Sequence, residues 1–264
     1  MALLADIRAA RAQGGLPLVA ARVARLVYRR AVRPLVPVRG WARYNGVTVA
    51  VRTRWTDRFV PEDWSRAHDR PLYESALIDG LRRQVAPGDR VVVVGGGWGA
   101  TAVVAAQQAG AGGHVTVFEG AGVSAERTRW AARRAGVTVD VRHALVATPD
   151  HVVAPERLSG PDGGAARVAA IPPCDVLEMD CEGAELGLLR ALAGRAPDAL
   201  PRVILVETHG AWGSSTADVR AALGALGYTV LSQHPADATL RAYCAAHDIH
   251  VLEAVRPAAL PLAP

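Results

Sequence analysis

Two short segments of this 264-residue chain concentrate side chains able to move a proton. One, CDVLEMDCEGAEL at 174–186, is an apolar run that ends in three carboxylates, Asp180, Glu182 and Glu185, around a helix start. The other, VILVETHG at 203–210, ends in Glu207 and His209. A carboxylate or imidazole at a strand end can accept a proton from a hydroxyl, which is the work of a general base. Asp180, His209 and Glu182 are therefore the candidate catalytic residues. Glu182 and Glu185 are equally well explained as acids favoured at a helix N-terminus, and His209 as a histidine that fixes a loop by hydrogen bonds. Asp180, Glu207 and His209 also have the ligand types to hold a divalent cation. Spacing alone does not bring three ligands together, so no metal is expected.

A third segment, GGGWGAT at 95–101, follows four valines and opens a helix-like stretch. Glycines there remove Cβ atoms so that a ligand can approach the backbone, and a helix start offers free N–H groups. Twenty-four residues beyond Gly95 stands Glu119, where a carboxylate accepts hydrogen bonds from ribose hydroxyls, as in NAD and S-adenosylmethionine sites. His143, after the next strand, falls near the expected adenine edge. The expected cofactor contacts are Gly95, Gly97, Trp98, Gly99, Glu119, His143 and Asp180.

The elements that must carry these residues alternate. Strands are predicted at 91–94, 114–118, 137–142, 176–179, 202–206, 228–231 and 249–255, and helices at 72–85, 100–109, 124–135, 185–192 and 216–226. The proline- and glycine-rich stretch 148–173 receives no assignment, and YNGVTVAVRT at 44–53 reads as an Asn-Gly hairpin. Such alternation predicts an α/β fold, a mostly parallel seven-stranded sheet with helices on both faces and ligands beyond the strands' carboxyl ends. Arg127, Arg129, Arg133 and Arg134 read as the solvated face of one helix.

Half of the residues are hydrophobic and 21% are charged, the balance of a packed globular chain. All thirty basic residues are arginine, which excludes Schiff-base chemistry, a lysine base and a Walker A phosphate loop. Cys174, Cys181 and Cys244 lack C-x-x-C spacing, so neither a disulfide framework nor a zinc site is expected, and a reducing cytoplasm is the default location. The uncharged run 91–118 is interrupted by seven glycines, which argues against a membrane span; Asp6 and Arg8 argue against a signal peptide.

Residues 1–60 carry twelve arginines against Asp6 and Asp57. A helix is expected to begin at Pro17 and stop at Pro34, with Leu16, Val19, Val23, Leu26 and Val27 on one face and Arg22, Arg25, Arg29 and Arg33 opposite. It reads either as a helix on an anionic membrane surface or as one docked with its charges in water. The expected organisation is a basic extension, 1–43, and one domain, 44–264.

On these motifs the chain resembles the FkbM-type class I methyltransferases. Their I-K-I-D-V-E-G-A-E segment corresponds to residues 177–185, where Asp180, Glu182, Gly183, Ala184 and Glu185 match outright. Glu207 and His209 match the hhhEhH strand, LGALGY ending at Tyr228 matches L-x-x-x-G-Y, and the glycine loop and Glu119 agree. Two positions depart. The acid expected two residues before the first glycine is Val93, and the lysine before the aspartate is Glu178.

The resemblance implies a Rossmann-like fold with S-adenosylmethionine as cofactor. It also implies O-methylation of a hydroxyl on a sugar, glycan or secondary metabolite, with no nucleic-acid partner. Gly95, Gly97 and Ala100 also satisfy G-x-G-x-x-A, which keeps an NAD(P)-dependent oxidoreductase open. A non-catalytic module that binds membranes through the basic helix is the other alternative.

Overall fold

The structure is a computed structural model. It describes residues 2–37, 40–51, 54, 56, 59–60, 69–146, 167–168 and 171–257, with 2–14 and 167–168 described by backbone alone. The chain divides into two compact units, one of residues 1–43 and 50–70 and the other of 44–49 and 71–264.

In the first unit, helix α1 spans Ala2–Val27, a π-helical turn follows at Tyr28–Val32, and a 3-10 turn at Arg33–Leu35. Pro17 lies inside α1 rather than at its start. The reason is local: Gly15 takes φ +66, so the right-handed backbone is broken just before the proline. Leu16, Val23 and Val27 are exposed. Among the described residues no helix is long and apolar enough to cross a membrane. Strands β1 (Trp41–Tyr44) and β2 (Val47–Ala50), whose residues 44–49 belong to the second unit, form the expected hairpin, with positive φ at both Asn45 and Gly46.

The second unit is a Rossmann-like, doubly wound sheet. Its strands are β3 (Arg90–Val94), β4 (His114–Glu119), β5 (Asp140–Leu145), β6 (Arg167–Val168), β7 (Val176–Met179), β8 (Val203–Glu207), β9 (Thr229–Pro235) and β10 (His250–Val255). Their order is β6-β5-β4-β3-β7-β8-β10-β9, so seven main strands carry the two-residue β6 at one edge. β10 runs antiparallel to both β8 and β9, while the pairs from β6 to β8 are parallel. Chain order reverses between β3 and β7, and that switch point opens a crevice at their carboxyl ends.

Helices α2 (Ser75–Gln84), α3 (Ala100–Ala109) and α4 (Gly122–Ala135) pack on one another and on the sheet; α5 (Glu185–Leu192) and α6 (Thr216–Ala225) pair on the other side. The four valines of β3 are buried because helices cover both faces. Each such side chain removed from water contributes about 1.5–3 kcal/mol. Buried alanines let α3 sit close between its neighbours. α4 ends on Gly136 in the left-handed conformation, and α6 starts on Ser215, whose hydroxyl accepts from the Asp218 N–H at 3.1 Å.

Two strand boundaries and one helix differ most from the sequence reading. β5 pairs only from Asp140 to Leu145, because the chain leaving Gly136 must first travel to the sheet before Thr116 can meet Asp140. β9 extends to Pro235 as the antiparallel partner of β10. A seven-residue helix, α7 (Arg241–His247), stands where no element was expected; it is too short for its apolar spacing to register. Of the unassigned stretch 148–173, residues 148–166 and 169–170 lie outside the described residues.

Candidate active site

A cavity of about 380 Å³ opens at the switch point. β3 reaches it through the glycine loop, whose Gly95 N–H donates to Phe118 O at 2.9 Å while the Asp180 N–H donates to Val94 O at 2.9 Å. The glycines do different jobs. Gly95, at φ +104, lies so close to β7 that any Cβ would overlap the Asp180 carbonyl oxygen. Gly99, at φ +87, lets α3 approach α4, since a Cβ would meet Thr128 Cα at 2.8 Å. Gly97, at φ +50, has nothing within 4 Å of where its Cβ would stand, and it lines the cavity.

Glu119, ending β4, ties the loop to the next turn. Its Oε2 accepts from the Gly97 N–H at 2.9 Å and its Oε1 from the Ala121 N–H at 2.7 Å. Each carboxylate oxygen retains a lone pair for a ligand hydroxyl. Trp98 forms another wall. The Arg127 guanidinium stacks 4.1 Å above its ring, and Tyr44 meets Tyr73 at 4.7 Å and Trp98 at 5.7 Å. Arg127 is thus part of the site rather than of a solvated face, and Arg129 donates to Val141 O at 2.7 Å. Neither role has a signal in the helix spacing, and Tyr73 and Trp212 stand in no motif that marks them.

Of the expected catalytic residues and cofactor contacts, Gly95, Gly97, Trp98, Glu119, Asp180 and Glu182 line the cavity. Gly99, His143 and His209 are not on its wall. His143 lies behind the β4 loop with Nε2 3.1 Å from Gly120 O. His209 is buried behind Asp180, its Nε2 3.5 Å from Asp180 Oδ1 and 3.6 Å from Glu207 Oε1.

Glu185 organises this corner. It is fully buried, and its Oε1 accepts from the Gly183 N–H at 3.1 Å and faces His209 Nδ1 at 2.8 Å. It caps no N–H of its own helix; it holds the preceding loop instead. That loop turns through two left-handed residues, Glu182 at φ +57 and Gly183 at φ +105. A Cβ at 183 would stand 2.7 Å from Trp212 O, so only glycine fits. Trp212 stacks on His209 with ring centres 5.0 Å apart, and the Ser214 hydroxyl donates to Gly183 O at 2.8 Å. The strand-end loops after β7 and β8 are thus one unit.

Removal from water raises the Asp180 carboxyl to about 6; His209 opposes this and Glu182, Glu185 and Glu119 add to it. Burial pulls His209 down, but the Glu185 hydrogen bond and then the Asp180 charge more than reverse that, and its value is raised. Glu207 is raised well above the usual carboxylate range, first by burial and then by Asp180, Glu74 and Glu178. Glu178 is also raised, by burial and then by Asp180 and Glu74. Glu178 is buried beside Val93 on β3, so a buried acid lies one strand over from the position where the expected acid is missing.

Residues 153–230 match the family model described as the methyltransferase FkbM domain. No curated protein matches the chain. Among solved structures similar to it is a ribosomal protein L11 methylase from Lactobacillus delbrueckii subsp. bulgaricus, with 13% identity, a TM-score of 0.47 and coverage of 72% of this chain and 81% of that one. A SAM-dependent methyltransferase from Aquifex aeolicus has 13% identity and a TM-score of 0.44, with 70% and 90% covered. A SAM-dependent O-methyltransferase from Thermotoga maritima has 15% identity and a TM-score of 0.45, with 72% and 67% covered. Over residues 153–230, which hold the D-x-E-G-A-E turn, the strand ending in Glu207 and His209, and Tyr228, the chain is similar to the FkbM methyltransferase domain.

Proposed function

We propose that this methyltransferase transfers the methyl group of S-adenosylmethionine to a hydroxyl of a sugar, glycan or secondary metabolite. The observation that carries the reading is the placement of open Gly97, Glu119 and Asp180 on one cavity wall. The residues fit the cofactor. Glu119 offers acceptors to ribose hydroxyls, Gly97 leaves room for close backbone approach, and Trp98 backed by Arg127 gives a flat wall. When bound, the cofactor supplies a methyl group on a sulfonium and leaves as a neutral thioether.

The remaining task for the chain is to orient the acceptor and take its proton. Asp180 is the carboxylate that meets both the cavity and His209. Its Oδ1 faces His209, which leaves Oδ2 for the acceptor hydroxyl. His209 acts through Asp180 as a positioning residue, and Glu185 holds His209. The acceptor class follows from the family resemblance.

Calorimetric titration tests the cofactor: S-adenosylhomocysteine should bind saturably and NADH should not. The opposite result overturns the reading. Transfer of a labelled methyl group to hydroxyl-bearing sugars, lost on methylation of the same hydroxyl beforehand, tests the acceptor class.

A further inference from the structure

Three strand-end side chains bring one ligand atom each to a single place. His209 Nε2, Asp180 Oδ1 and Glu207 Oε1 are separated by 3.5 and 3.6 Å, and the ligand atoms of the three residues all lie within 4.8 Å of one another. These separations exceed those of ordinary hydrogen bonds. They match the spread of roughly 3–4 Å between ligand atoms around a cation with bonds of about 2.1 Å.

The imidazole is set up for the same purpose. With Nδ1–H donated to Glu185 at 2.8 Å, Nε2 of the neutral ring turns a lone pair toward the two carboxylates. A carboxylate holding the far nitrogen is how a metal-binding histidine is oriented.

An independent observation comes from Glu178. It is fully buried, and neither of its oxygens has a hydrogen-bond partner among the described residues. It shares the sheet face of Asp180, two residues away, and of Glu207 on the neighbouring strand.

We propose that Asp180, Glu207 and His209 form a binding site for a divalent cation of the Mg²⁺ or Mn²⁺ class, with Glu185 orienting the histidine. The two carboxylates suit such ions, and the imidazole favours the transition metal Mn²⁺ over Mg²⁺. Binding of the cation stands on its own; its use rests on the methyl-transfer reading, in which it would hold the acceptor hydroxyl and make its proton easier for Asp180 Oδ2 to take.

The probe is Mn²⁺ alone, added to the metal-free full chain and followed by calorimetry and electron paramagnetic resonance. One saturable site per chain is expected, with nitrogen coupling from an imidazole in the Mn²⁺ spectrum. Glu207→Gln or Asp180→Asn should weaken it tenfold or more. No saturable site, no nitrogen coupling in the wild type, or unchanged affinity in both folded variants overturns the proposal. The nitrogen coupling needs no variant to fold. S-adenosylhomocysteine titrated in the same preparation separates the two readings: its binding without Mn²⁺ binding sinks only the cation site, and the reverse sinks only the cofactor assignment.

Discussion

The fully buried Glu185 carboxylate lies 2.8 Å from His209 Nδ1 while its backbone opens α5, so a single side chain joins the loops that end β7 and β8. Burial works against its charge, but the His209 hydrogen bond and charge more than offset this, and its carboxyl is held below its usual value. Removing one partner strands the other in a medium that solvates it poorly. Glu185→Ala should therefore cost about 3–5 kcal/mol, read as a fall in the urea midpoint, and Glu185→Gln should cost less because the amide oxygen still accepts from Nδ1–H. Equal midpoints for wild type and Glu185→Ala would show that the pair does not organise this corner.

Glu119→Ala should weaken S-adenosylhomocysteine binding by about 1.5–3 kcal/mol, the scale of hydrogen bonds to a charged group. Part of the loss comes from the protein itself, since the Gly97 and Ala121 N–H groups lose their shared acceptor. An unchanged dissociation constant in a folded variant would remove Glu119 from the cofactor site.

Gly95 and Gly97 predict opposite phenotypes. Gly95→Ala forces a Cβ into the Asp180 carbonyl oxygen, so the β3 and β7 strand ends must part and the melting temperature should fall markedly. Gly97→Val has open space, although φ +50 strains a β-branched residue by about 1–3 kcal/mol. That variant should keep its sheet, seen by circular dichroism, and lose cofactor binding. Full binding by Gly97→Val would mean that the loop does not touch the ligand.

Stability should fall in acid partly through Glu253. Its carboxylate on β10 accepts from Arg83 and Gln84, each at 2.5 Å, and from Ser232 at 3.3 Å. Burial raises its carboxyl, but the Arg83 and Gln84 hydrogen bonds outweigh that, and the net value is lowered. A carboxylate lowered in the folded state contributes stability above its unfolded value of about 4.3, and the contribution is lost as pH falls through the folded value. Glu253→Gln should lose about 1–3 kcal/mol at pH 7 and show a shallower decline below pH 4.5 in urea unfolding. Parallel pH curves for the two proteins would rule Glu253 out as a source of acid sensitivity.

Residues close in sequence were legible without the fold. The four valines before Gly95, the Asn45-Gly46 turn and the D-x-E-G-A-E turn are local patterns, and each fixes a backbone shape through sterics and hydrogen bonds within a few positions. They were enough for the alternating fold and for the strand ends that carry Glu119, Asp180 and His209. Tertiary structure decided what faces what. Alternation along β7 puts Glu178 on one face of the sheet, but only the strand order sets it beside Val93 and deep under a covering layer. His209 stands behind Asp180 because β8 is the neighbour of β7, and Arg127 reaches Trp98 because α4 packs against α3. A period of two or 3.6 residues names the face of an element; the partner on that face comes from positions far away in the chain, brought there by burial of the whole apolar surface.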